Sequence, residues 1–545
     1  MFIRETTSKR KSGLDVTYLH LAHNAWDPER KMTRTKILHS FGRKDQLDLE
    51  AIRRLVKSLS SYLPPREQLS LLPQDFKFLF SRSFGHLYLL DHLWRKLSLD
   101  EFFRSELKRR SFETPIERAI FAMVAQRAIA PSSKLSLCQD WIKNAVYLPE
   151  TGELEVQHLY RGMDFLFEHL EGLEINLYNQ LVDLLSLDVS VIFYDTTSIY
   201  FEIEEEDEDE DEEEREGLRK FGHSKDHRSD LPQVIVGVAI NRDGYPIRHW
   251  VFPGNTTDVT TVARVVKDLG ALRPRQFVFV GDRGMVSQGN IDFLESRRLK
   301  YILAVKGRSD PLASEAVSKK GRFIKVKDSL WVKEKILQDE ARKMRYILCY
   351  NPKEAKRDQE RRERALTVIE EELSHSQGLN KSKAKLLTHR TYGRYLKLSK
   401  SGKIRLDKTK LQTEARLDGK YILSTNDFSL APGEIAQGYK DLSKIETAFQ
   451  SMKHVLDIRP VNHTKEQRIR AHVGICVLAY LLSTHAENTC LMSWKKIRSS
   501  LGGLHAGCIS SPQGTFIKTT ESNKEQRSIL KKFSIKPPPE VLKIL

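Results

Sequence analysis

Hydrophobic and polar positions change their period several times along the chain. Near the start, the β-prone runs Thr17–Ala22 and Lys36–Ser40 precede a short helical pattern at Leu49–Leu63, which predicts a small β-rich module over residues 1–63. Residues 64–187 then show helical spacing, and this predicts a helical domain. Its clearest amphipathic stretches are Leu87–Leu97, Pro115–Ile129 and Val156–Leu170.

Basic residues punctuate the predicted helical domain at Arg118, Arg127, Lys134 and Arg161. Two interpretations stay open for them. Either these residues lie on solvated faces of a supporting domain, or the domain uses them to bind nucleic acid.

From Asp188 the apolar positions alternate, which is typical of β-strands. Val191, Phe193 and Asp195 fall on one face of the first strand, which we expect to end near Asp195. The pattern predicts three strands in a meander, then helix, strand, helix, strand. The later elements are Gln233–Ile240, Tyr245–Phe252, Asp258–Leu269, Phe277–Val280, Gly289–Arg298 and Tyr301–Val305.

The regular alternation ends near Lys306, and residues 309–415 mix short strands with charged helices. This segment includes the tract Lys381–Lys410, with eleven Lys or Arg and one acidic residue. A strand at Tyr421–Ser424 and helices at Ile435–Leu456 and Arg468–Leu482 follow. The predicted division is a module (1–63), a helical, DNA-binding domain (64–187), a first core part (188–308), a basic insertion domain (309–415), a second core part (416–485) and a tail (486–545).

The charge of the chain points to a polyanionic partner. The formal net charge is +17, although Glu204–Glu216 alone contributes −11, so the remaining residues carry +28. A field of this sign favours phosphate backbones. Like charges at such density cannot pack, and we expect the acidic run to be a solvated, disordered loop.

The cysteines and the apolar stretches of the sequence indicate the cellular compartment of the protein. The five cysteines are scattered without a CxxC pair, which argues against a zinc module or a disulfide frame and fits a reducing cytoplasm. The longest apolar stretch, Val473–Leu482, is too short to span a bilayer. Residues 1–9 lack an apolar signal core. We therefore expect a cytoplasmic protein with no membrane role.

Three carboxylates are candidates for a catalytic metal site. Asp195 and Asp282 follow apolar strand segments, and Glu446 lies on a later helix, seven residues after Tyr439 and seven before Lys453. Seven residues is about two helical turns, so we expect these three residues on one face of one helix. Carboxylate oxygens are the ligands of hard divalent cations, and a metal pair would catalyse displacement at phosphorus.

The motifs around these carboxylates resemble those of the DDE insertion-sequence transposases, in the branch with an insertion before the glutamate. The matching stretches are Tyr194–Ser198, Gly281–Gly284, Tyr439-x6-Glu446-x6-Lys453, Phe221–Gln233, Gly254–Asp258, Arg459–His463 and Arg468–His472. The resemblance implies a multidomain α/β protein, whose RNase H-like mixed-sheet core is interrupted by the insertion domain.

The resemblance also implies roles for individual residues. Asp195, Asp282 and Glu446 would hold Mg²⁺, with Mn²⁺ as a substitute, and would cut and join DNA at the ends of a mobile element. The partners that the resemblance implies are terminal-repeat DNA and target DNA. It also implies that a second copy of the chain joins the first as a homodimer on the DNA of the nucleoid. DNA contacts are expected from Tyr439, Lys453, Lys444 and Arg283.

One position departs from the branch, because its signature has an arginine where this chain has Leu442. A phosphate contact from that position is therefore in doubt. In the insertion, Trp331 is a candidate to stack on a flipped base, although a core role is the more common one for tryptophan in a strand. The basic tract is interpreted as a DNA-tracking surface or as a solvated hairpin.

Two other functions share some of these features. An RNase H-like endonuclease would use the same metals without joining strands. A transposase-derived DNA-binding protein would have lost catalysis altogether, and the intact Asp195, Asp282 and Glu446 argue against it.

Overall fold

The computed structural model describes residues 1–9, 15–60, 62–63, 76–108, 115–151, 154–209, 217–272, 277–307, 310–338, 343–374, 381–399, 403–511 and 514–544. The chain divides into two compact units. One comprises residues 1–80, 508–517 and 543–545, and the other residues 81–507 and 518–542.

The first unit contains an antiparallel three-stranded sheet of β1 (Phe2–Lys9), β2 (Asp15–Asp27) and β3 (Met32–Arg43). The helix Leu49–Ser60 follows. The β-rich character and the helix agree with the sequence pattern. The pattern missed β1, because Phe2–Lys9 is too polar to show alternation, although it pairs with β2 over its whole length.

The remaining strands are β4 (Lys77–Ser83), β5 (Val191–Tyr200), β6 (Gln233–Ile240), β7 (Pro246–Pro253), β8 (Val278–Gly281), β9 (Lys300–Val305), β10 (Ile324–Lys327), β11 (Leu330–Gln338), β12 (Lys343–Tyr350), β13 (Leu396–Leu398), β14 (Ile404–Leu406), β15 (Lys420–Thr425), β16 (His505–Ser511), β17 (Gly514–Thr519) and β18 (Val541–Ile544). The further helices are Gly85–Lys96, Leu99–Leu107, Ile116–Ile129, Lys134–Ser136 continuing as a π-helix to Ala145, Val156–Leu185, Asp258–Ala271, Gln288–Ser296, Pro311–Ser318, Pro352–Ser374, Lys381–Thr388, Lys408–Leu417, Pro432–Lys440, Ser443–His454, Glu466–Cys490, Trp494–Gly502 and Lys524–Lys532.

A nine-stranded sheet forms the centre of the second unit, in the order β10-β11-β12-β15-β9-β8-β5-β6-β7. Strands β5, β6 and β7 are an antiparallel meander, and β8 and β9 add to β5 in parallel. The order third, second, first, fourth, fifth, with this mix of directions, is the RNase H-like arrangement that the resemblance implied.

Strands β10, β11 and β12 extend this same sheet through antiparallel pairing of β12 with β15 and of β15 with β9. The first part of the segment assigned to an insertion domain (309–415) thus contributes to the core sheet. The predicted boundary remains a prediction. Between the paired residues Tyr350 and Lys420, the described part of residues 351–419 forms helices and the β13–β14 ribbon. The ends of this segment are joined by a hydrogen bond from the Asn351 amide to the Gly419 carbonyl, 2.8 Å.

Helices cover both faces of the sheet. Ile192 and Tyr194 face a core shared with Asp258–Ala271 and Gln288–Ser296. Val191 and Phe193 face the larger core, which contains the helix Glu466–Cys490. Among the described residues, this helix alone is long and apolar enough to cross a membrane, but 89% of its most apolar window is buried. Core helices of folded proteins meet the same criterion, so this is weak evidence for a membrane span.

Basic residues of the helical region are mostly buried, so their interpretation as solvated is wrong for three of the four. Arg118 is 5% exposed and binds Glu117 and Asp91. Arg127 and Lys134 are each 6% exposed. The apolar spacing could not show this, because the helix Ile116–Ile129 is buried on every side. Arg161 is exposed.

The described part of the acidic run, residues 204–209, is held by basic partners. Asp207 pairs with Arg219, and Asp209 lies 2.7 Å from Lys220. These residues form a loop in which all but Asp207 are exposed, as expected of a solvated segment. The expectation of disorder is wrong for them, because Arg219 and Lys220 pair with Asp207 and Asp209. Residues 210–216 lie outside the described part.

Candidate active site

Two aspartates come together at the middle of the sheet. Tyr194 of β5 pairs in parallel with Gly281, the last residue of β8, so the next residues, Asp195 and Asp282, are neighbours at the point where β8 ends. Burial raises the pKa of Asp195 to about 6, and the carboxylates of Asp258 and Asp282 add to the rise, against the opposing effects of Lys225 and the Thr196 amide.

Asp195 does not end its strand, as the sequence pattern predicted. Strand β5 continues to Tyr200 because β6 pairs with it from Phe193 onward. The strand that ends beside Asp195 is β8, which runs parallel to β5. Among the described strands, this leaves one edge of β5 unpaired beyond Tyr194, beside the two carboxylates.

A third carboxylate and a lysine complete the polar network around Asp195. The Lys225 ammonium donates to the carbonyl and hydroxyl oxygens of Thr196, both at 2.8 Å, and lies 3.1 Å from Asp258 and 3.6 Å from Asp195. The Thr196 hydroxyl donates to Asp258. A Cβ built at Gly284 would lie 3.1 Å from Oδ2 of Asp258, so Asp258 also touches the turn that carries Asp282.

Sequence reasoning did not assign roles to Lys225 and Asp258. Both occurred in motifs that carried the family resemblance, Phe221–Gln233 and Gly254–Asp258. Their distance from Asp195 along the chain hid the contact. One sequence feature could have identified Lys225 and Asp258. Each lies in a glycine-containing motif next to a predicted core strand.

Tyr439 and Glu446 lie on two helices, so the prediction of one continuous helix is wrong. We call Pro432–Lys440 the tyrosine helix and Ser443–His454 the glutamate helix. Between them the backbone tightens, because the amides of Leu442 and Ile445 donate to carbonyls only three residues earlier. The Tyr439 hydroxyl donates to Oδ1 of Asp282 at 2.9 Å, and its pKa is raised by burial and by that carboxylate.

Glu446 occupies the first turn of the glutamate helix with an exposed side chain. The helix buries Ile445, Ala448 and Phe449 in the core that Phe193 also faces, and this is the face of β5 that carries Asp195. Within the described ranges, no three acidic, histidine or cysteine side chains are grouped as a metal site. The structure thus brings Asp195 and Asp282 together and leaves Glu446 on the neighbouring helix.

The donor set nevertheless fits a hard divalent cation. Asp195 and Asp282 supply oxygen donors, and repulsion from Asp258 and Asp282 contributes to the raised pKa of Asp195. A cation would relieve that repulsion.

Lys453 and Arg459 converge on Asp226, the residue after Lys225. The Lys453 ammonium lies 3.0 and 3.1 Å from the two carboxylate oxygens, and Arg459 lies 2.5 Å from Oδ2. Of the other expected DNA contacts, Arg283 is exposed beside Asp282, while the exposed Lys444 donates to the carbonyl of Arg242. Leu442 is buried in the core, which explains why an apolar side chain suits this position.

In the segment 309–415, Trp331 is half-buried on β11. The basic tract Lys381–Lys410 forms the helix Lys381–Thr388, a two-stranded ribbon of β13 and β14, and the start of the helix Lys408–Leu417. The hairpin is therefore only part of this tract. Its role and that of Trp331 stay predictions.

The family follows from comparison with known protein families. Residues 190–482 match the transposase DDE domain, and residues 3–67 match the N-terminal domain of IS1634 family transposases. The chain belongs to the DDE insertion-sequence transposases. It is a DNA transposase, an enzyme that cuts and joins DNA, and the first match spans the sheet together with Asp195, Asp282 and Glu446.

Other comparisons are less informative about this transposase. No protein of curated function matches it. Among solved structures, a piggyBac transposase synaptic complex with hairpin DNA is similar at 10% identity, covering 77% of this chain and 79% of that one, with a TM-score of 0.38. At this score, details of one fold cannot be transferred to the other.

Proposed function

We propose that this transposase cuts the ends of an insertion sequence and joins them to target DNA at a metal centre held by Asp195, Asp282 and Glu446. Support comes from the register of β5 and β8, which sets Asp195 beside Asp282. Mg²⁺, or Mn²⁺ in its place, would activate the attacking oxygen and stabilise the leaving oxygen of an in-line displacement at phosphorus.

The residues around the centre have separate tasks in this proposal. Tyr439 holds Asp282 through its hydrogen bond. Lys225 and Asp258 orient Asp195 through Thr196. Arg283 and Lys444 contact DNA phosphates, and so does Lys453 once DNA draws it from Asp226. Because the Tyr439 hydroxyl donates its proton to Asp282, we propose that it is not a nucleophile and that no covalent phosphotyrosine forms. A trapped adduct would contradict this statement.

We further propose that a homodimer pairs the two element ends on DNA in the cytoplasm, associated with the nucleoid. Joining both ends of one element at the same target site requires that the two ends be held together, and a closed two-fold assembly would provide this.

Strand transfer tests the proposal. Purified protein, Mg²⁺, a labelled duplex bearing the DNA that flanks this reading frame, and a supercoiled plasmid would be incubated together. We expect metal-dependent joined product that is lost in D195A, D282A and E446A, with DNA binding retained. Gln450→Ala, one turn further along the exposed face of the glutamate helix, is the matched control and should join normally.

Other outcomes would redirect the assignment. Nicking without joining would identify an endonuclease. Binding without nicking or joining would identify an inactive DNA-binding descendant. Joining by any one of the three alanine variants would remove that residue from the metal centre.

A further inference from the structure

A polar cavity of about 350 Å³ lies between the end of the helix Ile116–Ile129 and the segment that leads into the helix Glu466–Cys490. This volume is within the range of ligand-binding cavities. Its walls include Arg127, Ser132, Ser133, Lys134, Arg459 and His463.

Two buried cations face this cavity without a balancing carboxylate. Arg127 donates to the carbonyls of Leu456 and Asp457, at 3.3 and 2.8 Å, while its Nε is buried without a hydrogen-bond partner. Lys134 makes no side-chain hydrogen bond within the described part of the chain, and no described carboxylate pairs with either cation. Asp457 also lines the cavity, with an exposed side chain.

Two titratable side chains of the cavity have pKa values lowered by burial and by neighbouring cations. Burial, followed by repulsion from Arg127, lowers the pKa of Lys134 to about 7. Burial and the nearby cations lower the pKa of His463 to about 4. An uncompensated buried cation is costly, and a fold that retains one next to a second is typical of a site completed by an anion.

A chain of contacts links the cavity to the active site. Arg459, on its wall, pairs with Asp226, and the preceding Lys225 contacts Asp195. A DNA strand that runs from the catalytic carboxylates along these residues would bring a phosphate to the cavity. Two matching stretches of the resemblance, Arg459–His463 and Arg468–His472, end at this cavity with no role in metal binding.

We propose that this cavity, the Arg127–Lys134 pocket, binds a phosphate group of the DNA substrate. Arg127 supplies a permanent charge, and a bound phosphate would favour the protonated form of Lys134. Ser132 and Ser133 offer hydroxyl donors in the cavity wall. Charge-assisted hydrogen bonds from buried cations are strong and specific for phosphate oxygens. The proposal rests on the DNA-binding function of this transposase, and it does not depend on the metal centre.

DNA binding without metal tests the pocket directly. The dissociation constant of a fluorescent duplex would be measured by anisotropy in EDTA over a series of KCl concentrations. Lys134→Met should weaken binding about tenfold and reduce the slope of log K against log salt by about 1. Lys134→Arg should retain most of the slope. Lys143→Met is the matched control, because Lys143 is an exposed lysine on the adjoining π-helix, and it should bind like the wild type.

Thermal unfolding of the same proteins separates binding from folding. We expect Lys134→Met to unfold at the same or a higher temperature than the wild type, because it removes an uncompensated charge. An unchanged slope in Lys134→Met would overturn the proposal. So would weaker binding that only follows a loss of folded protein. If the wild type itself does not bind duplex DNA, the DNA-binding assignment fails instead.

Two further arms identify the source of the phosphate. Duplexes with a 5′-phosphate or a 5′-hydroxyl would bind the wild type equally if the pocket holds an internal backbone phosphate. A preference for the 5′-phosphate that Lys134→Met loses would assign the pocket to a strand end. Stabilisation of the wild type alone by inorganic phosphate, with no effect of Lys134→Met on DNA binding, would indicate a free-anion site and overturn the proposal.

Discussion

The hydroxyl of Tyr439 donates a 2.9 Å hydrogen bond to Oδ1 of Asp282. Tyrosine and aspartate come from distant parts of the chain, and the bond fixes the orientation of a carboxylate at the end of β8. A donor to a metal-binding carboxylate typically changes metal affinity or activity by 10- to 100-fold. This bond gives Tyr439 a task other than direct phosphate contact.

We expect Tyr439→Phe to weaken Mn²⁺ binding and strand transfer by roughly tenfold, because the Asp282 carboxylate loses its anchor. Titration calorimetry with Mn²⁺ and the joining assay would measure this. DNA affinity in EDTA should stay unchanged, and a loss there would instead favour the phosphate contact. Tyr421→Phe is the control, since its ring neighbours Tyr439 but its hydroxyl lies beside Cys349.

Asp226→Ala should lower the free energy of unfolding by about 2–4 kcal/mol. The substitution leaves the ammonium of Lys453 and the guanidinium of Arg459 without their shared partner, and these side chains are only 11% and 19% exposed. Urea denaturation would measure the change. Asp230→Ala removes the exposed partner of Arg228 and should leave stability unaltered. Equal effects of the two variants would show that burial does not strengthen the Asp226 pairs.

Lys225→Met should increase the affinity for Ca²⁺ several-fold while reducing strand joining. Removing the ammonium takes a positive charge from beside Asp195 and Asp258, which favours a cation there. It also frees Thr196 from its donor. Calorimetric titration with Ca²⁺ would measure the affinity, with the exposed Lys267→Met as control. Weaker Ca²⁺ binding would show that Lys225 is needed to hold the carboxylates in place.

The stability of the protein should depend on pH through Lys134. Its pKa is about 7 in the folded protein against an ordinary value of 10.5. Between these values the unfolded chain binds more protons, so the stability of the wild type rises with pH relative to Lys134→Met. The variant should be more stable by roughly 2–4 kcal/mol near pH 7, and the difference should shrink toward pH 10. Urea titrations at several pH values would detect it, and a constant difference would contradict the lowered pKa.

The strands that carry the candidate site were predictable, because alternating apolar residues and a Gly–Asp turn mark them clearly. The partners of Asp195 were not predictable, since Lys225 and Asp258 come close to it only when the chain folds. The break at Asp441 and Leu442 escaped prediction because neither residue is a proline or a glycine. Antiparallel addition of β12 to β15 was also hidden, because alternation identifies a strand without identifying its neighbour.

The segment 351–419 between β12 and β15 begins and ends at neighbouring positions of the sheet. The Asn351 amide donates to the Gly419 carbonyl, and Gly419 adopts a φ of +62°, where a Cβ would lie 2.5 Å from the Asn351 carbonyl oxygen. The sheet therefore needs the two ends of this segment and little of what lies between them. Evolution could lengthen, shorten or exchange residues 351–419 as a cassette, and a protein engineer could do the same by replacing them with a tight turn or by grafting another folded module at Tyr350 and Lys420.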